Sequence, residues 1–250
     1  DAYAASPVCS PSRASILTGK YPSRINVSYI SGTTGPKGKE YKLTAPQTDG
    51  FIAFDETSMA EALREHDYKT VHIGKWHLQN HTDRGTSHFP ENHGFDLNIA
   101  GFRMGQPGSY YFPFKSERHP STNVPGLEDG KKGDYLTDTH TDKAISFIKQ
   151  NKDQPFFVFF ASHDLHVPRI PHERFRGTSA LSYRGDVIVQ LDWCVGEIVK
   201  YLKKEGLDQD TMIVFCSDNG PVGDDGYADE ALEKMGDHRA AGPYSCLLYT

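Results

Sequence analysis

The sequence predicts an α/β fold in which a mixed, largely parallel sheet is sandwiched by helices. Three observations carry that expectation. Short runs at 69–73, 156–161 and 212–216 have strand length and are rich in β-branched or aromatic residues. Amphipathic helical patterns at 138–151 and 186–204 fall between them, and such alternation favours strands covered on both faces. Each run then ends in a polar burst: Gly74-Lys75-Trp76-His77, Ser162-His163-Asp164-Leu165-His166 and Ser217-Asp218-Asn219-Gly220. Parallel strands bring their carboxyl ends to one edge, where ligands bind in open α/β sheets.

In chain order, a first helix is marked by Pro11 in its first turn and Gly19 just past its end. A second, over 58–66, starts at Ser58 with Glu61 at capping-box spacing and leads into the strand at 69–73. The stretch 77–133 is dense in Gly, Pro, Asn and His and reads as long loops, which in compact domains tend to be functional. Ala144, Ile145 and Ile148 form the apolar side of the helix at 138–151. Pro155 precedes the strand at 156–161, whose aromatic and Val residues suit burial on both faces. Val187, Leu191, Val195, Ile198 and Leu202 make the stripe of 186–204, with Gly206 as its stop signal, and 212–216 is the third strand. No repeat or composition break divides the chain, so residues 1–250 read as a single domain.

Composition bounds the function. The chain has 27 Lys+Arg against 33 Asp+Glu, a net charge of −6, with 37% hydrophobic residues. This is globular composition, and it argues against both disorder and an extended nucleic-acid surface. The longest apolar run, Phe156–Ala161, is too short to span a membrane. The opening DAYAASPVC lacks the basic start and apolar core of a signal peptide, so the expectation is a cytosolic protein or a chain that begins downstream of its true start. Four cysteines without CxxC spacing make no disulfide scaffold.

The polar bursts restrict the chemistry. Lys and protonated His are donors for a sulfate or phosphate oxyanion. Asp and Asn oxygens suit a hard cation such as Ca²⁺ or Mg²⁺. A cation beside cationic side chains implies a strongly anionic substrate group. Taken singly, Lys-x-His after a strand is an ordinary solvated loop, and Asp-Asn-Gly an ordinary turn. The segment Cys9-Ser10-Pro11-Ser12-Arg13 adds a thiol at a helix N-terminus, where the dipole favours anions, with Arg13 one turn later. A C-x-P-x-R match arises by chance in about one chain in 100 of this length.

Together, SPVCSPSRASILTGKYPSR at 6–24, GKWHL at 74–78, SHDLHVP at 162–168 and SDNGP at 217–221 resemble, in order, the type I sulfatases of the alkaline-phosphatase-like fold. The resemblance spans nearly the whole chain. It implies that a separate maturation enzyme oxidises Cys9 to formylglycine. The hydrated aldehyde attacks sulfur, displaces the alcohol and later expels sulfate by re-forming the aldehyde. Arg13 would hold the diol, Lys75 would bind a sulfate oxygen and bridge to the nucleophile, and His77 would assist release. His166 would contact sulfate and the leaving oxygen, and His163 the substrate or the residues behind it. Asp218 and Asn219, with the group derived from Cys9, resemble ligands for Ca²⁺ or Mg²⁺. The implied partners are a sulfated carbohydrate or other sulfate ester and the formylglycine-generating enzyme, in the periplasm or outside the cell.

The chain departs from the family pattern at both ends. The adjacent Asp pair that supplies the other metal ligands does not appear before Cys9, no Lys follows Pro243, and 244–250 do not fit. The expectation is an incomplete catalytic domain, lacking the metal-ligand strand and a C-terminal subdomain, that by itself binds Ca²⁺ poorly and does not turn over. The alternative enzyme reading is a phosphatase or phosphonate monoester hydrolase of the same superfamily. The non-enzyme alternative is a sulfated-glycan binding module. Loops at 79–133 and 167–184 would shape the outer pocket through His81, Arg84, His88, Arg103, Tyr110, Tyr111, Arg118, His119 and Arg169.

Overall fold

A computed structural model describes residues 3–31, 48–79, 87–223 and 226–242. The elements are α1 (Cys9–Thr18), α2 (Met59–Arg64), β1 (Lys69–Gly74), β2 (Leu97–Ile99), α3 (Leu136–Asn151), β3 (Phe156–Ala161) and α4 (Ser182–Lys204), with short 3₁₀ turns between them. The three strands form one parallel sheet in the order β2-β1-β3.

Alternation along the strands divides the core into two layers. On one face, Val71 and Ile73 of β1 pack with Leu136, Ala144 and Phe147 of α3, and Phe156, Val158 and Phe160 of β3 join them. On the other, Phe157 and Phe159 of β3 meet Ala14 and Leu17 of α1, Ala60 of α2, Trp76 and Phe95. α3 also packs against α4, so helices cover both faces as expected.

Local signals account for the helix ends. Gly19 closes α1 at φ +67°, its N–H bonded to Ser15 O. Ser58 and Glu61 make both bonds of the capping box on α2, at 3.1 and 2.7 Å. α3 and α4 begin two and four residues before the sequence pattern suggested, at Leu136 and Ser182.

Two elements differ from expectation. The run 212–216 is not a strand: among the described residues nothing pairs with its backbone, and Met212 and Phe215 are 88% and 72% exposed. Strand composition does not make a strand without a neighbouring ladder. The three-residue β2, inside the stretch read as loop, carries no periodicity long enough to detect and forms because β1 pairs with it.

Candidate active site

β1 ends at Gly74, where a φ of +96° takes the chain out of the ladder; a Cβ there would collide with the Ala161 carbonyl. Lys75 N then donates to Ala161 O at 2.8 Å. β1 and β3 therefore end together and release 75–79 and 162–168 along one edge.

α1 docks its first turn on that edge. Cys9 is its first residue, and Val8 before it offers no side-chain cap. Ser10 Oγ donates to His77 O at 2.9 Å and accepts from Ser31 N at 2.9 Å. One turn on, Arg13 Nε donates to Trp76 O at 2.9 Å, Nη2 donates to Lys75 O, and Nη1 lies 3.6 Å from Asp218 Oδ2. A single buried side chain thus ties α1, the end of β1 and the segment after 216.

Burial lowers the pKa of Arg13, and Asp218 and Cys9 oppose the shift. Lys75 is also lowered by burial, against the pull of Cys9, while Arg13 adds to the lowering and Asp218 opposes it. His166 is pushed down to about 4 by burial and by Lys75. Burial, then His140, Lys75 and Arg13, hold His163 well below its ordinary value. Burial beside Lys75 thus favours the neutral form of both imidazoles at pH 7. His166 Nδ1 lies 2.7 Å from Val167 O. A carbonyl only accepts, so Nδ1 carries the proton and Nε2 is left with its lone pair.

Asp218 faces Arg13, and Asn219 Nδ2 donates to Gly220 O at 3.0 Å. Asn219 Oδ1 is buried with no hydrogen-bond partner among the described residues. A carboxylate and an orphaned amide oxygen fit a hard cation in donor type, but they are two of the six or more oxygens Ca²⁺ takes. Among the described residues no group of three or more His, Cys, Asp or Glu is placed to hold a metal.

Of the sequence candidates, Cys9, Arg13, Lys75, His163, His166 and Asp218 thus form one electrostatically connected group, with Asn219 adjacent. His77 joins through its carbonyl to Ser10, at φ +59°, with its ring against Gly105. The outer-loop candidates scatter. His88 stacks on Phe51 and Phe54, and its carbonyl accepts from Trp76 Nε1 at 2.7 Å. Tyr110 OH donates to His163 O at 3.3 Å, and Tyr111 bridges to Tyr135. Arg169 is buried in an ion pair with Asp229 at 2.6 Å. Arg103 is half-buried, and Arg118 and His119 are exposed. His81, Arg84, Cys246 and 244–250 lie outside the described residues.

Sequence reasoning missed the group behind the histidines. The buried line of α4 runs through Val187, Gln190, Cys194 and Leu202 rather than through Leu191 and Val195. Gln190 reaches Asp164, which sits between the two histidines of the 162–168 block. The available signal was a polar residue three positions after Val187 on a helix otherwise apolar at that spacing.

The sulfatase family profile matches residues 1–242. An N-acetylgalactosamine-6-O-sulfatase of Bacteroides thetaiotaomicron is 34% identical over 98% of this chain and 56% of its own length. The mouse N-acetylgalactosamine-6-sulfatase is 32% identical over 87% of this chain and 42% of its own. A B. thetaiotaomicron sulfatase solved in work on its metabolism of multiple glycosaminoglycans superimposes with a TM-score of 0.71 at 29% identity, covering 96% of this chain and 58% of that one. The architecture is the alkaline-phosphatase-like fold of those sulfatases, and the chain belongs to the sulfatase family. It spans about half the length of the curated relatives it matches. Among the described residues no helix is long and apolar enough to cross a membrane.

Proposed function

We propose that this chain carries the nucleophile and sulfate-binding side of a sulfuric ester hydrolase acting on a sulfated carbohydrate. The observation that carries the reading is Arg13, which fixes the Cys9 helix, the Lys75 backbone and Asp218 as one unit. The N-acetylgalactosamine-6-sulfatases among its relatives point to a sulfated amino sugar as substrate. By analogy with the family, the work would be done in the periplasm or outside the cell.

In this reading a maturation enzyme converts Cys9 to formylglycine, whose hydrated aldehyde supplies the nucleophile. Asp218 and Asn219 would hold part of the shell of a Ca²⁺ or Mg²⁺ ion, which would neutralise sulfate charge. The chain's own residues do the rest. Lys75, buried and electrostatically coupled to Cys9, would hold a sulfate oxygen beside the reacting group. Arg13 fixes the Lys75 and Trp76 carbonyls and with them the path of 75–77. His166 turns Nε2 to the sulfate side, where its lone pair would take up the proton the nucleophile loses and then pass it to the departing oxygen, and His77 sits on the segment that Ser10 holds against α1. Paired aryl sulfate and aryl phosphate substrates, offered to the intact matured protein, test the reading. Sulfate hydrolysis that disappears in Cys9→Ala is expected; a preference for phosphate retained in that variant overturns it.

A further inference from the structure

The loop that carries His166 is held from behind by one side chain. Gln190 of α4, fully buried, uses both ends of its amide. Its Oε1 accepts from His172 N at 2.8 Å, and its Nε2 donates to Asp164 Oδ2 at 2.9 Å and to Tyr135 OH at 3.0 Å. These partners fix which end is oxygen. Asp164 Oδ2 also accepts from Thr137 Oγ1 at 2.7 Å, and Tyr135 OH donates to Ile170 O at 2.6 Å. The segment 164–172 is therefore pinned at both ends to α3 and α4, with His166 between the pins.

The pinned turn is strained. Leu165, not a glycine, has φ +74°, while His166 N reaches back to His163 O at 3.3 Å and Asp164 N is held by Ser162 Oγ at 3.0 Å. Such a conformation persists only where its surroundings over-determine it. The Asp164 carboxylate is what does so here. Its side chain goes back into the helices, while Lys75 acts electrostatically on His163 and His166 on either side.

We infer that Asp164 and Gln190 are positioning residues: through their hydrogen bonds they hold the 163–166 turn so that His166 keeps Nδ1–H on the Val167 carbonyl and turns Nε2 to the site. The catalytic consequence rests on the sulfatase reading; the tautomer does not.

Two readouts separate these claims. ¹⁵N chemical shifts of His166 in the protein without substrate report its tautomer. Wild type is expected to show Nδ1–H alone. Asp164→Ala, which removes both acceptor bonds, is expected to give a mixture, and Asp164→Asn, which keeps an oxygen for Thr137 and Gln190, to restore the Nδ1–H form. If Asp164→Ala does not fold, Thr137→Val and Gln190→Leu each remove one donor and are expected to shift the tautomer in the same direction. In the matured protein, a misplaced His166 is expected to lower kcat about 10- to 100-fold on an aryl sulfate with KM changed less than about twofold. A His166 tautomer unchanged in the folded variants overturns the inference, whatever the activity. A shifted tautomer in a protein that cleaves no sulfate ester leaves the positioning role standing and counts against the enzyme reading alone.

Discussion

Replacing Arg13 with Met keeps the stem of the side chain and removes every donor. The structure sets the cost. Trp76 O loses its bond from Nε, a charged donor to a buried carbonyl, at about 1.5–3 kcal/mol. Lys75 O loses Nη2 but keeps His72 Nε2 at 3.2 Å, so its loss is nearer 1 kcal/mol. The Asp218 pair is long and partly exposed and contributes at most about 1 kcal/mol. The sum is roughly 3–5 kcal/mol, or about 6–20 °C in Tm for a chain of this size. Arg174→Met is the control. That guanidinium is bidentate to Asp138 at 2.5 and 2.6 Å, but half-exposed, and is worth about 1 kcal/mol. Urea unfolding followed by circular dichroism gives both numbers. If Arg13→Met is no more destabilising than Arg174→Met, Arg13 is not the tie between α1, β1 and Asp218.

Other outcomes follow from the same geometry. Burial pushes His72 and His140 down to about 3, below the 6.5 of the unfolded chain, so their contribution is lost as pH falls through 6.5 by up to about 1.4 kcal/mol per unit each. Asp164, raised from 3.8 to about 6 by burial, acts the other way, its contribution fading as pH rises through 6. The imidazoles outweigh it, and the urea midpoint is expected to be lower at pH 5 than at pH 7; an equal or higher midpoint contradicts this. Gly74→Ala forces a side chain into the Ala161 carbonyl at positive φ and is expected to cost about 2–4 kcal/mol, measured as a drop in Tm. Burial pushes the Cys194 thiol up to about 12, so iodoacetamide mapping is expected to label half-buried Cys9 and exposed Cys216 and to spare Cys194 until the chain unfolds.

Much of the site was legible because strand ends announce themselves. Gly74 and the polar residues after it end a short β-branched run, and in a parallel sheet such strand ends share an edge. The Cys9 helix was readable from Pro11 and Gly19, which act within one turn. What escaped detection depends on distant partners. The run 212–216 has strand composition, but pairing is a property of its neighbours and no local pattern reports it. Gln190 lies one position off the stripe chosen from hydropathy, because an apolar count discards the polar residue that anchors the His166 turn. The lowered pKa of His166 and His163 was not readable for a similar reason: it is set by burial beside Lys75, which the sequence places about ninety residues away.

The central claim is that Cys9 becomes the reacting group, and the mass of the peptide containing it after co-expression with a formylglycine-generating enzyme is the most direct test. A loss of about 18 Da at Cys9, absent when Arg13-Pro11 context is intact but Cys9 is replaced by Ala, is the predicted result. A Cys9 peptide that keeps its thiol mass, together with sulfate ester hydrolysis that survives Cys9→Ala, would contradict the account.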